Sequence, residues 1–187
     1  MRLFVALEIP SAVRENLAGL LKSLSAVSPQ TRWVRPENLH VTLKFIGEMP
    51  EAKLASIRTA LVGVRSDQPV ALDFRGLGFF PNEKHPRVFW AGIEASRNLK
   101  TLAADIDGVA EKFGIPREQR PFSPHLTLAR FEPPGLLEKL RVAIQENAAR
   151  DFGSFRTSQF HLIESKLKPS GAEYTTVESF PFAAAEA

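Results

Sequence analysis

Two short segments carry the residues best suited to chemistry. RPENLHVTLKF holds Arg35, Pro36, His40 and Thr42, and RPFSPHLTLAR holds Arg120, Pro121, His125 and Thr127. In each, Arg-Pro stands five and four residues ahead of the histidine, and an apolar residue, a threonine and a leucine follow it. The chain has only four histidines and eight threonines. From composition alone, two His-x-Thr units are on the order of a one-in-a-hundred coincidence, before the matched Arg-Pro is counted. Residues i and i+2 of a strand point to one face, so each unit sets an imidazole beside a hydroxyl. Val41 and Leu43, or Leu126 and Leu128, then point into a core. If the two units face each other across a cleft, one imidazole can donate a proton while the other accepts one. That pair is what in-line displacement at phosphorus requires. The hydroxyls of Thr42 and Thr127 can donate to the non-bridging phosphoryl oxygens, where charge builds. The near symmetry of the units leaves open which histidine is the acid and which the base.

The elements that must position these groups form a repeat. Leu3–Ile9 reads as a strand ended by Pro10, and Ser11 is placed to cap a helix whose apolar face is Val13, Leu17, Leu20, Leu21, Leu24 and Val27. A loop over 30–38 leads to the first histidine strand. A helix entered at Pro50 follows, with Leu54, Ile57, Leu61 and Val64 on one face. A strand over Val70–Phe80 is bent by Gly76 and Gly78. The order then starts again. Arg87–Ile93 is a strand, and Ser96 can cap a helix that Gly114 ends. The second histidine strand follows, and Pro133 and Pro134 precede a helix bearing Leu136, Leu137, Leu140, Ala143 and Ile144. Gln159–Leu167 and Tyr174–Phe182 read as a hairpin about the Lys168–Gly171 turn, with a frayed AAAEA tail. An offset of about 85 residues sets Phe4 on Phe89, His40 on His125 and Pro50 next to Pro134. The reading is one domain over 1–187, with an internal repeat of approximately 1–85 and 86–187, folded as two similar α+β lobes about a pseudo-two-fold axis. The C-terminal hairpin could complete either sheet.

Composition narrows the function classes. The chain is of single-domain size at 187 residues, with 44% hydrophobic and 24% charged residues, the balance of a globular protein. It has no cysteine, which excludes disulfides, thiolate-bound zinc, iron–sulfur clusters and thiol catalysis. A formal charge of +3 permits a phosphate-bearing substrate without demanding a nucleic-acid groove. No apolar run approaches the roughly 18–20 residues of a membrane span, and MRLFVALEIP reaches Glu8 too soon for a signal peptide, so the expectation is a cytoplasmic protein with no membrane partner. No HExxH, H-x-H or carboxylate cluster flanks either histidine, no GxxxxGK[ST] loop is present, and no G-x-S-x-G elbow is found. The expected metal content and cofactor requirement are therefore none.

Several further residues are candidates. Strict alternation from His125 puts Arg130 on the opposite face, so a bulge or strand end must turn it inward if it is to meet phosphate. Lys44 has the parity of His40 and Thr42 and can stand at a cleft rim. Arg35 and Arg120 can attract the anion or shape the loops through salt bridges, the second being the favoured reading. A nucleotide base needs an aromatic platform, for which Phe45, Phe79, Phe80, Trp90 and Phe122 are the candidates, with Phe122 and then Phe45 foremost. His85 and His161 have no threonine two positions on and are left out of the site.

The HVTL and HLTL segments resemble the paired H-x-T-x signature of the 2H phosphoesterase superfamily. Their frames, RPENLHVTLKFIGE and RPFSPHLTLAR, together with RLFVALEIP and FFPNEKHPRVFWAGI, resemble its bacterial RNA 2′,3′-cyclic phosphodiesterases, also called 2′-5′ RNA ligases or LigT-like proteins. The resemblance spans nearly the whole chain. It implies an α+β fold of two lobes, each an antiparallel sheet with helices on its outer face, around a central cleft. It implies metal-independent hydrolysis of a 2′,3′-cyclic phosphate to a 2′-phosphomonoester, with reversible 2′-5′ RNA ligation as a companion activity. Carried over by motif, His40 is the proton donor, His125 the proton acceptor, and Thr42, Thr127 and Arg130 the phosphate-binding groups. The implied partner is an RNA or nucleotide with a cyclic phosphate end, met by a monomer. Two other readings compete: a phosphodiesterase of 2′-5′ oligonucleotides or ADP-ribose cyclic phosphate, and a non-catalytic RNA-end or nucleotide-binding module.

Overall fold

A computed structural model describes residues 1–132 and 135–182. Pro133, Pro134 and the AAAEA tail therefore lie outside the described residues. The chain runs β1 (Arg2–Leu7), α1 (Ser11–Val27), β2 (Arg32–Trp33), β3 (Val41–Glu48), α2 (Leu54–Val62), β4 (Val70–Phe80) and β5 (Val88–Ala95). It continues with α3 (Asn98–Glu111), β6 (His125–Arg130), α4 (Glu138–Gln145), β7 (Asp151–Thr157), β8 (Gln159–Lys168) and β9 (Gly171–Pro181). Short 3-10 turns at Pro36–Asn38 and Glu51–Lys53 lead into β3 and α2.

These strands form two antiparallel sheets, ordered β3-β1-β8-β9 and β2-β6-β5-β4-β7. Neither sheet is built from one contiguous half of the sequence. The C-terminal hairpin completes the first sheet beside β1, while β4 crosses into the second beside β5. The helices cross as well. Helix α1 packs on β7 and α4 at the second sheet, while α3 packs on β3 of the first and α2 reaches β9. Val13, Leu17, Leu20, Leu21 and Leu24 form the buried face of α1 that the apolar spacing predicts. Ser11 does not cap α1. It is the helix's first residue, Pro10 takes the cap position in extended geometry, and no side chain caps it. Ser96 likewise does not cap α3. Its hydroxyl accepts from the Ala71 amide at 2.9 Å and thereby ties β4 to the segment after β5. Gly114 ends the α3 region as expected, at φ +84°.

One apolar cluster runs through both sheets and their helices, from Leu3, Val5 and Leu7 through Leu43, Phe89, Leu126 and Leu128 to Phe160 and Phe180. Strands β3 and β6 lie against each other, so the two sheets meet along the histidine strands.

Each of these strands carries a bulge at the same place. Val5 pairs with Lys44 and Ala6 with Thr42, leaving Leu43 unpaired on β3. Phe89 pairs with Ala129 and Trp90 with Thr127, leaving Leu128 unpaired on β6. Consecutive residues, Leu43–Lys44 and Leu128–Ala129, are therefore buried, and the parity of the residues that follow is reversed, on β3 only as far as a second bulge at Ile46. The pairing also corrects the repeat offset. His40 and His125 keep 85, but the β1 and β5 registers differ from it by one residue. Phe4 stands opposite Phe45 as Val88 stands opposite Arg130, so Val88 rather than Phe89 is its counterpart. Strand β7 at the edge of the second sheet and the two-residue β2 are elements that the sequence patterning does not announce.

The bulge settles Lys44. It is not at a cleft rim but 3% exposed on the helix side of β3. Its ammonium is ion-paired with Asp107 Oδ1 of α3 at 2.7 Å and donates to the Pro116 carbonyl at 2.9 Å. Asp107 also accepts from the Glu118 amide at 3.1 Å. The pair thus fastens β3 to the segment that feeds β6. Lys44→Met should leave the largely buried Asp107 with the exposed Arg117 guanidinium, 3.9 Å away, as its cation, and cost about 3 kcal/mol. Lys44→Met with Asp107→Leu should recover most of it, read as urea unfolding free energies. A single variant as stable as the parent would contradict this role.

Candidate active site

Val41, Leu126 and their neighbours commit one face of each histidine strand to the core, which leaves the His-x-Thr pairs on the other. His40, Thr42, His125 and Thr127 are all partly exposed there, alternating with buried Val41, Leu43, Leu126 and Leu128. The two imidazoles are held alike. His40 Nδ1 lies 3.1 Å from the Asn38 carbonyl, and His125 Nδ1 lies 2.8 Å from the Ser123 carbonyl. A carbonyl only accepts, so in each ring Nδ1 carries the proton and Nε2 is the atom left for chemistry. Each ring also meets aromatic edges. His40 stands T-shaped to Phe4 at 6.2 Å and to Tyr174 at 5.7 Å, and His125 stands T-shaped to Phe80 at 4.9 Å. Burial lowers the pKa of His40 from 6.5, opposed by its bond to the Asn38 carbonyl and the charge of Glu8, and assisted by Arg14 and His161.

The bulges decide which further residues share the histidine face. Beyond Leu128, Arg130 returns to the side of His125 and Thr127 and is exposed, as an inward turn of that arginine requires. Phe45 takes the equivalent position after Leu43. It is 64% exposed, 6.2 Å from Phe4, on the side of His40 and Thr42. Phe122 instead leans against the main core cluster. Arg35 is structural, donating to the Ala172 carbonyl of the β8–β9 hairpin and pairing with Glu37 at 3.7 Å.

Two further features mark this face, and sequence reasoning passed over the second. On the second sheet, the Trp90 indole lies over Gly78, where a Cβ would come within 2.2 Å of it, and 5.5 Å from Phe80. On the first, His161 of β8 is 3% exposed, with Nδ1 2.8 Å from Ser179 Oγ and Nε2 3.9 Å from Glu8 Oε2. Its pKa is also lowered, by burial first and against the pull of Glu8. The pairing of Ala6 with both Thr42 and His161 is the signal for it, and that is a fact of strand order rather than of local sequence. Among the described residues no group of three or more His, Asp and Glu side chains is arranged to hold a metal ion, and no helix is long and apolar enough to cross a membrane.

Comparison with known proteins agrees with this architecture. The LigT like Phosphoesterase family matches residues 7–90 and 93–174. An RNA 2′,3′-cyclic phosphodiesterase of Methanothermobacter thermautotrophicus is 35% identical over 96% of this chain and 98% of its own length. One from Archaeoglobus fulgidus is 37% identical over 96% and 99%. Among solved structures, TT0787 of Thermus thermophilus superposes with a TM-score of 0.76 at 35% identity, covering 97% of this chain and 98% of that one. LigT of E. coli complexed with 3′-AMP gives 0.75 at 26% identity, covering 98% of each. With two antiparallel sheets, helices behind them and a matched His-x-Thr pair on each, the chain belongs to the LigT-like family of 2H phosphoesterases, and it is an enzyme.

Proposed function

We propose that this phosphoesterase hydrolyses the 2′,3′-cyclic phosphate end of an RNA or nucleotide to a 2′-phosphomonoester. The observation that carries the reading is the matched anchoring of the two imidazoles, each with Nδ1 on a backbone carbonyl two residues upstream. The names of the relatives, and the nucleotide held by E. coli LigT, support the substrate class.

In the proposed reaction His125 Nε2 takes a proton from water as the water oxygen attacks phosphorus. His40 Nε2–H delivers its proton to the departing 3′ oxygen, so one P–O bond forms as another breaks. The products are a 2′-phosphate and a free 3′-hydroxyl, and the two rings end with their protonation states exchanged. Thr42 and Thr127 donate to the non-bridging oxygens, and Arg130 adds a guanidinium suited to a pentacovalent phosphoryl group. No step uses a metal ion. Phe45, the exposed aromatic beside Thr42, is better suited than core-packed Phe122 to stack a base. Replacing water by an RNA 5′-hydroxyl turns the same chemistry into 2′-5′ ligation. Both histidines belong to one chain, so a monomer suffices.

The test is turnover of a nucleoside 2′,3′-cyclic phosphate in EDTA, with product analysis. A 2′-phosphate is expected, with kcat lowered about 10²–10⁴-fold in His40→Ala and in His125→Ala. A 3′-phosphate product would reverse the assignment of the leaving oxygen. Binding without turnover would favour the nucleotide-binding module. Thr127→Val and Arg130→Ala should each lower kcat/KM about tenfold or more, because charge-assisted donors to the phosphoryl group are lost. Unchanged values would remove those residues from the site.

A further inference from the structure

The first sheet carries a second titratable group beside His40. Strand β1 runs antiparallel between β3 and β8. Ala6 pairs with Thr42 on one side and His161 on the other, and Leu7 pairs with Val41. Continuing that register by one residue sets Glu8 opposite His40. Glu8 has the parity of Ala6 and Phe4, which form a small cluster with Ile163 and Tyr174 on the histidine side of the sheet, apart from the main core. Its carboxylate also reaches to 3.9 Å from His161 Nε2, a distance for electrostatics rather than a hydrogen bond. Glu8 therefore stands between two imidazoles, one partly open and the other buried.

A proton on His40 is supported first by its bond to the Asn38 carbonyl and then by Glu8, against burial and the charge of Arg14. From α1, Arg14 donates to the carbonyls of Pro36 at 2.6 Å and Ile9 at 3.4 Å, which holds its positive charge near the ring. From β8 comes His161, from β9 the Tyr174 ring, and from β1 the Phe4 ring. Glu8 is the carboxylate that acts on His40. A ring that is to donate a proton must first hold one, and burial and Arg14 both oppose that.

We propose that Glu8 is a positioning residue for His40: its carboxylate, lodged between His40 and His161, is the counter-ion that lets His40 carry a proton into the reaction. This rests on the proton-donor role proposed above for His40. Buried His161 is anchored to Ser179 Oγ, and burial lowers its pKa, which weakens its competition for the charge of Glu8. Glu8 touches no reacting atom and acts only through the ring it faces.

The sign of the effect follows. Removing the carboxylate charge destabilises the imidazolium of His40, so the ring loses its proton at a lower pH. The experiment is an NMR titration of the histidine rings in the full-length enzyme, with assignments from single His→Asn variants, alongside the pH dependence of kcat/KM. Glu8→Gln is suited to it because the side chain is 48% exposed and the change is isosteric. The His40 midpoint is expected to fall by about one pH unit, a tenfold loss of proton affinity. The alkaline limb of kcat/KM should fall with it, giving about a tenfold loss well above the His40 midpoint and little below the midpoint of the variant. Glu8→Asp should restore part of the shift. An unchanged His40 midpoint in Glu8→Gln overturns the proposal. A midpoint that falls while the alkaline limb stays in place upholds the pairing of Glu8 with His40 and overturns the proton-donor role instead.

Discussion

Alternate residues of β3 and β6 are committed to one continuous apolar core, and that commitment governs what their other faces can display. Val41, Leu43, Leu126 and Leu128 are buried at 0–5% exposure, and a one-residue slip of either strand would send them to solvent and the histidines inward. Burial of several such side chains outweighs any local preference of the imidazoles, at roughly 1.5–3 kcal/mol each. The His-x-Thr pairs are thus presented by leucine and valine as much as by themselves. Because β3 lies against β6, the same core also brings the two histidine strands to one junction.

The pseudo-symmetry is close where protons are handled and broken where a substrate would be distinguished. Both imidazoles rest on carbonyls two residues upstream, and both strands bulge at the equivalent leucine. After the bulge one strand offers Phe45 and the other Arg130. An aromatic face suits a base and a guanidinium suits an anion, so a single position of the repeat separates two kinds of recognition. The aromatic support differs too. Phe4 and Tyr174 flank His40, whereas Phe80 flanks His125, with Trp90 laid over Gly78 behind it. Gly78, which reads in the sequence as a bend, leaves room for that indole.

Much of this was legible in the chain. Period-two alternation about His40 and His125 is enough to give the strands, the buried face and the polar face, and the apolar spacing of α1 recovers its buried side. What escaped is non-local. Lys44 follows Thr42 by two residues and belongs with it by parity, yet the bulge at Leu43 sends it to Asp107. The reversal at Leu128 is inferable only if one already requires Arg130 to face inward. His161 looks ordinary because its partners, Glu8 and Ser179, lie on other strands and meet it only once β8 pairs with β1 and β9. The exchange of strands and helices between the sheets is likewise a matter of pairing, to which local periodicity is blind.

The proposed chemistry turns on the two imidazoles acting on one phosphorus from opposite sides. A crystal structure with a uridine–vanadate complex, a mimic of the pentacovalent state, tests this most directly. The expected complex has a single vanadium whose two apical oxygens are each within hydrogen-bonding reach, about 2.6–3.2 Å, of a different ring, one from His40 Nε2 and the other from His125 Nε2. A complex in which both rings meet the same apical oxygen, or in which either ring stands away from the vanadate, would contradict it.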